Sequence, residues 1–135
     1  MTAIICIAAA VILRNDGRML LVRKRGTDAF MQPGGKYEPG EDALTALRRE
    51  LEEELGTGIA ADFDAEKPHS LGRFSAPAAN EPGHIVEADL YLMAAAAEVS
   101  IAAEIAEARW VSQDEALALP LAPLTRERIL PLIWH

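Results

Sequence analysis

The chain has 135 residues, half of them hydrophobic, with a net charge of −8 and one cysteine. That length suits one domain spanning residues 1–135, and no stretch reaches the roughly 20 consecutive apolar residues of a transmembrane helix. The charge argues against a polymeric nucleic-acid partner, whose backbone is met mainly by lysine and arginine surfaces, while leaving small phosphorylated ligands open. Cys6 has apolar neighbours in sequence. It is expected to be a buried thiol in a reducing compartment, which points to the cytoplasm.

Ala3 to Leu13 is apolar at both alternating positions and lacks the basic start of a signal peptide, so it reads as an interior strand. The turn sequence Asn15-Asp16-Gly17-Arg18 and the run Met19 to Arg25 complete an expected hairpin. In the second strand Leu21, Arg23 and Arg25 alternate with Leu20, Val22 and Lys24, so the two arginines are expected to face a common cleft. Gly26 to Gly40 holds four glycines and two prolines, a composition that breaks regular structure and lets backbone approach a ligand.

A helix is expected over Glu41 to Leu55, ended by Gly56. With Glu50 at zero on a helical wheel, Glu54 falls at about +40° and Glu53 at about −60°, while Leu44, Leu47, Leu51 and Leu55 gather between about +60° and +140°. The helix can therefore bury its leucines and hold three glutamates toward a cleft. Like charges at this spacing repel, and a hard divalent cation turns the repulsion into coordination. Arg49, next to Glu50 and one turn before Glu53, can orient the cluster. Taken alone, the same acidic run also describes a solvated helix face.

Farther on, His69 to Phe74 and His84 to Ala94 read as strands, the second with Glu87 and Asp89 on one face. Ala108 to Val111 reads as a short strand. Ser112 to Glu115 has capping-box spacing for a helix, and Pro123 to Trp134 reads as a last helix. Phe30, Phe74 and Tyr91 could stack on a ring but are expected in the core, and His69 and His84 lack paired ligand spacing.

From Gly35 the chain reads glycine, five residues, Glu41, seven residues, then Arg49-Glu50-Leu51-Glu52-Glu53-Glu54-Leu55-Gly56-Thr57. This resembles the Nudix box at every defined position except the last, where Thr57 stands for an aliphatic residue. Pro33-Gly34-Gly35-Lys36 and Glu38-Pro39-Gly40-Glu41 are similar to the approach to that box. The resemblance, to MutT-like members of the family, implies an α/β fold, an α/β/α sandwich around a mixed sheet. It further implies a hydrolase that cleaves a pyrophosphate bond by attack of water at phosphorus, with magnesium or manganese as cofactor. Carried onto this chain, it makes Glu50, Glu53 and Glu54 the metal ligands, with the Gly35 carbonyl as a further one, and Arg49 the orienting group.

The base is Glu53, Glu50 or a carboxylate outside the box, with Glu104 the first such candidate and Glu87 the second. Arg23, Arg25 and Lys36 are candidate phosphate contacts. A Nudix-like nucleotide sensor without useful turnover is the alternative, against which the intact glutamates argue. Diphosphate isomerisation on the same fold calls for a catalytic cysteine, and Cys6 is poorly placed for it. Gly72-Arg73-Phe74 lacks the proline or tyrosine that marks some ADP-ribose or dinucleoside-polyphosphate hydrolases, so a nucleoside triphosphate is preferred as substrate. A homodimer is compatible with the resemblance.

Overall fold

The computed structural model describes residues 2–134. Its sheet runs in the order β3 (Phe30–Met31), β2 (Met19–Lys24), β1 (Ala3–Leu13), β6 (His84–Ala94) and β5 (His69–Pro77), while β4 (Gly34–Lys36) pairs with β1 and β7 (Ile105–Val111) with β2. β1 and β6 are parallel along eleven residue pairs and the remaining pairings are antiparallel, so the sheet is mixed.

The hairpin between β1 and β2 closes at one pair, Leu13 and Met19. Its turn is held by Asp16, which accepts from the Arg18 amide and from the Arg14 guanidinium, with Gly17 at φ 83°. Beyond that pair the strands part, β1 toward β4 and β6, and β2 toward β3 and β7. The divergence opens the sheet where a cleft forms.

Both faces are covered, as the apolar alternation of β1 requires. Ala8, Ala10 and Ile12 pack beneath α1 (Ala43–Leu55) and α2 (Thr57–Ala65), whose Leu47, Leu51, Leu55 and Ile59 are fully buried. Ala9 and Val11 face α3 (Gln113–Leu117) and the C-terminal helical segment through Leu124, Ile129 and Leu130. The result is the expected three-layer sandwich.

Helix α1 starts two residues later than expected because Asp42, not Glu41, caps it by accepting from the Thr45 amide. Gly56, at φ 96°, ends it and opens α2, a helix absent from the sequence reading. With two glycines at its start and only Ile59, Ala60 and Phe63 buried, α2 carries a weak pattern. Ser112 and Glu115 form the expected reciprocal cap of α3. The last helix is interrupted. Pro131 has no N–H for the carbonyl four residues back, and Thr125–Ile129 winds as a π turn, with Leu130 N–H reaching Thr125 O, before α4 (Leu130–Ile133).

Cys6 corrects the sequence reading: it is exposed. The first residues of β1 extend past the helices that cover Ala8 to Ile12, so apolar neighbours in sequence do not enclose it. No helix among the described residues is long and apolar enough to cross a membrane.

Candidate active site

The functional segment starts where β4 crosses β1. Gly34, at φ 148°, lies so close that a Cβ would strike the Ala8 carbonyl and come within 2.7 Å of Ala9 Cα. A Cβ on Gly35 would lie 2.6 and 2.7 Å from the two carboxylate oxygens of Glu50. Both glycines are thus required by close approach, the first to β1 and the second to an acid on α1.

The glutamate ridge is less uniform than the wheel implies. Glu53 is outermost, with its side chain 53% exposed, and Glu50 is at 16%. Glu54, nearest the leucine stripe, is 2% exposed. One Glu54 oxygen accepts from the Gly34 amide at 3.3 Å, and the other is buried with no hydrogen-bond partner among the described residues. Burial, followed by the neighbouring Glu50 charge, pushes the Glu54 carboxyl up to about 8. Burial also raises Glu50, against the opposing pull of Arg49.

Arg49 is the organising cation. It grips Glu41 with two bonds of 2.7 and 2.8 Å, donates to Glu50 at 2.9 Å and to the Lys36 carbonyl at 3.1 Å, and lies 3.6 Å from Glu53. Those hydrogen bonds hold Glu41 down at about 2. The Glu41–Arg49 pair, across the seven residues between them, therefore ties the loop before α1 to the middle of the helix.

A cavity of about 520 Å³ opens beside this cluster. Glu50, Gly35, Lys36, Arg25 and Glu104 line it. Glu104 precedes β7 in a turn, pairs with Lys24 at 3.3 Å, and adds its negative charge to the surroundings of Glu50 and Glu54. The sequence reading passed over Lys24, yet it lines the cavity and its charge opposes the rise of Glu54. Its signal was present in the alternation, which places it on the strand face of Leu20 and Val22 beneath α1.

Arg23 departs from expectation. The β2–β7 register shifts between Arg23 and Lys24, and Arg23 turns to Glu107, to the Thr27 carbonyl at 2.9 Å and to the Phe30 ring, outside the cavity lining. Arg25, beyond the shift, lines the cavity without it. Lys36 is two-thirds exposed at the rim, 3.7 Å from Glu81. Glu87 and Asp89 point away, on the face of β6 opposite the cavity-lining Val86, and are occupied by Arg73 at 3.3 and 2.9 Å. Cys6 pairs in register with Glu87 and does not line the cavity either. Phe30, Phe74 and Tyr91 pack in or against the core, as expected.

Among the described residues no three acidic, histidine or cysteine side chains stand ready-gathered around a metal position. Arg49 supplies part of the reason, since it draws Glu50 and Glu53 to itself. The donor set nonetheless fits a hard cation. A buried carboxylate oxygen without a partner is costly, and a divalent ion is one kind of partner that would satisfy it. The space above Gly35 that a side chain would fill holds a second carboxylate.

The NUDIX domain matches residues 6–133, and the chain belongs to that family. It is similar to a putative 8-oxo-dGTP diphosphatase of Bacillus subtilis, 27% identical over 122 residues, covering 90% of this chain and 75% of that protein. An RNA pyrophosphohydrolase of Halorhodospira halophila is 46% identical over 50 residues, which is 37% of this chain and 28% of the relative's length. The crystal structure of a MutT NUDIX hydrolase from Burkholderia pseudomallei superposes with a TM-score of 0.72 at 27% identity, covering 91% of this chain and 93% of that one.

Proposed function

We propose that this chain is a metal-dependent pyrophosphohydrolase that cleaves the pyrophosphate linkage of a nucleoside triphosphate, or of a nucleoside diphosphate-linked compound, by attack of water at phosphorus. The observation that carries the reading is the buried oxygen of Glu54 without a hydrogen-bond partner among the described residues, in the helix whose sequence resembles the Nudix box and close to Glu50, with Gly35 packed on the Glu50 carboxylate. The names of the relatives, diphosphatase and pyrophosphohydrolase, support the same class of reaction.

Glu50, Glu53, Glu54 and the Gly35 carbonyl would hold the cofactor, magnesium or manganese. Bound there, such an ion neutralises charge on phosphoryl oxygens and the leaving group. Arg49 keeps Glu50 and Glu53 aimed together and anchors the preceding loop through Glu41. Arg25, Lys36 and Lys24 offer cations to the substrate's phosphates at the cavity wall. Glu104 faces the same cavity, is not on the box helix, and is the proposed acceptor of the attacking water's proton. A carboxylate that ligates a metal is a weaker proton acceptor, which favours Glu104 over the box glutamates.

The test is a panel of nucleoside triphosphates and diphosphate-linked nucleotides, with products separated after incubation with magnesium or manganese. Release of pyrophosphate or phosphate together with the shortened nucleotide is expected from at least one. Tight binding of a nucleotide without any product would instead establish the sensor alternative.

A further inference from the structure

Lys24, Arg25 and Thr27 line the cavity from the end of β2 and the turn that follows it, and Arg23, the residue before them, does not. Lys24 and Arg25 are adjacent, and on a regular strand they would point to opposite faces. That both reach the cavity depends on the shape of the turn. Thr27 donates to the Lys24 carbonyl through its amide at 3.2 Å and its hydroxyl at 2.9 Å. Gly26 sits at φ 75°, the positive value that the third residue of a type II turn requires. The Arg25 amide donates to the Glu104 carbonyl at 2.8 Å. These bonds leave over the Thr27 carbonyl, where the chain departs for β3, and Arg23 Nη1 donates to it at 2.9 Å.

Arg23 is itself fixed from two sides. It stands opposite Phe30 on β3 and Glu107 on β7, so the three side chains share one face of the sheet. Its Nε and Nη2 lie 3.4 Å from one Glu107 oxygen, and its guanidinium carbon lies 6.0 Å from the centre of the Phe30 ring. Arg109 donates to the other Glu107 oxygen and covers the same ring at 5.2 Å. Phe30 is 3% exposed, and its main chain bonds to those of Pro120 and Ala122, so the anchor is braced on its far side. A half-exposed ion pair contributes little stability, and a lysine would serve Glu107 as well. What calls for a guanidinium is the fork, one nitrogen on the Thr27 carbonyl while the others face Glu107.

We propose that Arg23 is a positioning residue, which through the Thr27 carbonyl holds the turn in the shape that brings Arg25 to the phosphates of the substrate. Arg23 meets no phosphate itself, and its effect on binding passes through Arg25. This role rests on the reading of the cavity as a polyphosphate site, but it requires binding and not turnover.

A double-mutant cycle tests it, with calorimetry of inorganic tripolyphosphate in the presence of magnesium on the wild-type chain, Arg23→Gln, Arg25→Gln and the double variant. Each single variant is expected to bind at least about fivefold more weakly than wild type, and the double variant to bind within about twofold of Arg25→Gln alone. A general loss of structure would not be confined in this way to proteins that retain Arg25. Arg23→Lys keeps one donor for the Thr27 carbonyl and is expected to fall between wild type and Arg23→Gln; it takes the place of Arg23→Gln in the cycle should that variant fail to fold. Additive losses would show that Arg23 meets phosphate directly or acts elsewhere, and would overturn the proposal. So would undiminished binding in either single variant, or no wild-type binding up to millimolar tripolyphosphate. Nucleotide hydrolysis can fail on every substrate while the cycle holds, and can succeed while the cycle is additive, so the two readings fail separately.

Discussion

Two acidic clusters lie on this fold, and only one is left wanting a cation. On β6, Asp89 loses solvent on burial, yet hydrogen bonds from Arg73 and Tyr37 outweigh that and lower its pKa, while Glu87 shares Arg73. On α1 and the turn before β7, Glu50, Glu53, Glu54 and Glu104 have Arg49 and Lys24 for company, but neither reaches the inner oxygen of Glu54. The first cluster is satisfied by the protein. The second retains a buried acid whose charge the protein does not balance, and such a group is where a metal ion has most to offer.

The largest expected contrast is in turnover. Glu53→Gln and Glu54→Gln should each lower kcat by at least about a hundredfold, whereas Glu87→Gln should change it by less than about threefold. Gly35→Ala should resemble the first pair, because its Cβ displaces the Glu50 carboxylate. Steady-state kinetics at saturating metal decides this, and equal effects from both clusters would erase the distinction drawn above.

Next in size is Glu104→Gln, expected to reduce kcat by about tenfold or more with KM little changed, since general-base assistance acts mainly in the transition state. Recovery of activity at high magnesium would mark Glu104 as a ligand, and near-normal turnover would move the base to Glu53.

A third contrast is in stability without metal. Glu54 titrates near 8 in the fold and at 4.5 when unperturbed, so the folded state holds its proton over that interval. Stability linked to this group is fully present below about pH 4.5 and is lost as pH rises through about 8. Denaturant melts of chelator-treated protein should therefore weaken from pH 5 to 8, and Glu54→Gln should flatten that dependence. A slope unchanged in the variant would assign it to other groups. The smallest effect belongs to Asp89→Asn, which removes a partner of Arg73 and Tyr37 but touches no cavity-lining group, and turnover should stay within about twofold.

What was legible in the sequence was what repeats locally. The leucine stripe and the Glu50-Glu53-Glu54 ridge follow from one helical period, and β6 was read to its exact ends from alternation. The sinking of Glu54 was not legible, because the wheel gives directions around an axis and not the depth at which β4 meets the helix. β3 and β4, of two and three residues, are too short for any periodic signal. Arg23 was not legible as a structural residue, because alternation gives the face of a strand and not the partners on it, here Glu107 on β7 and the Thr27 carbonyl.

The Glu50, Glu53 and Glu54 cluster is proposed to hold a divalent cation with which the chain hydrolyses a pyrophosphate bond. The most direct measurement follows product release from a hydrolysed nucleotide in excess chelator and then after magnesium or manganese is restored. Turnover should vanish in chelator and return with the metal in the wild-type chain, and should not return in Glu54→Gln. Unchanged turnover in excess chelator would contradict the account.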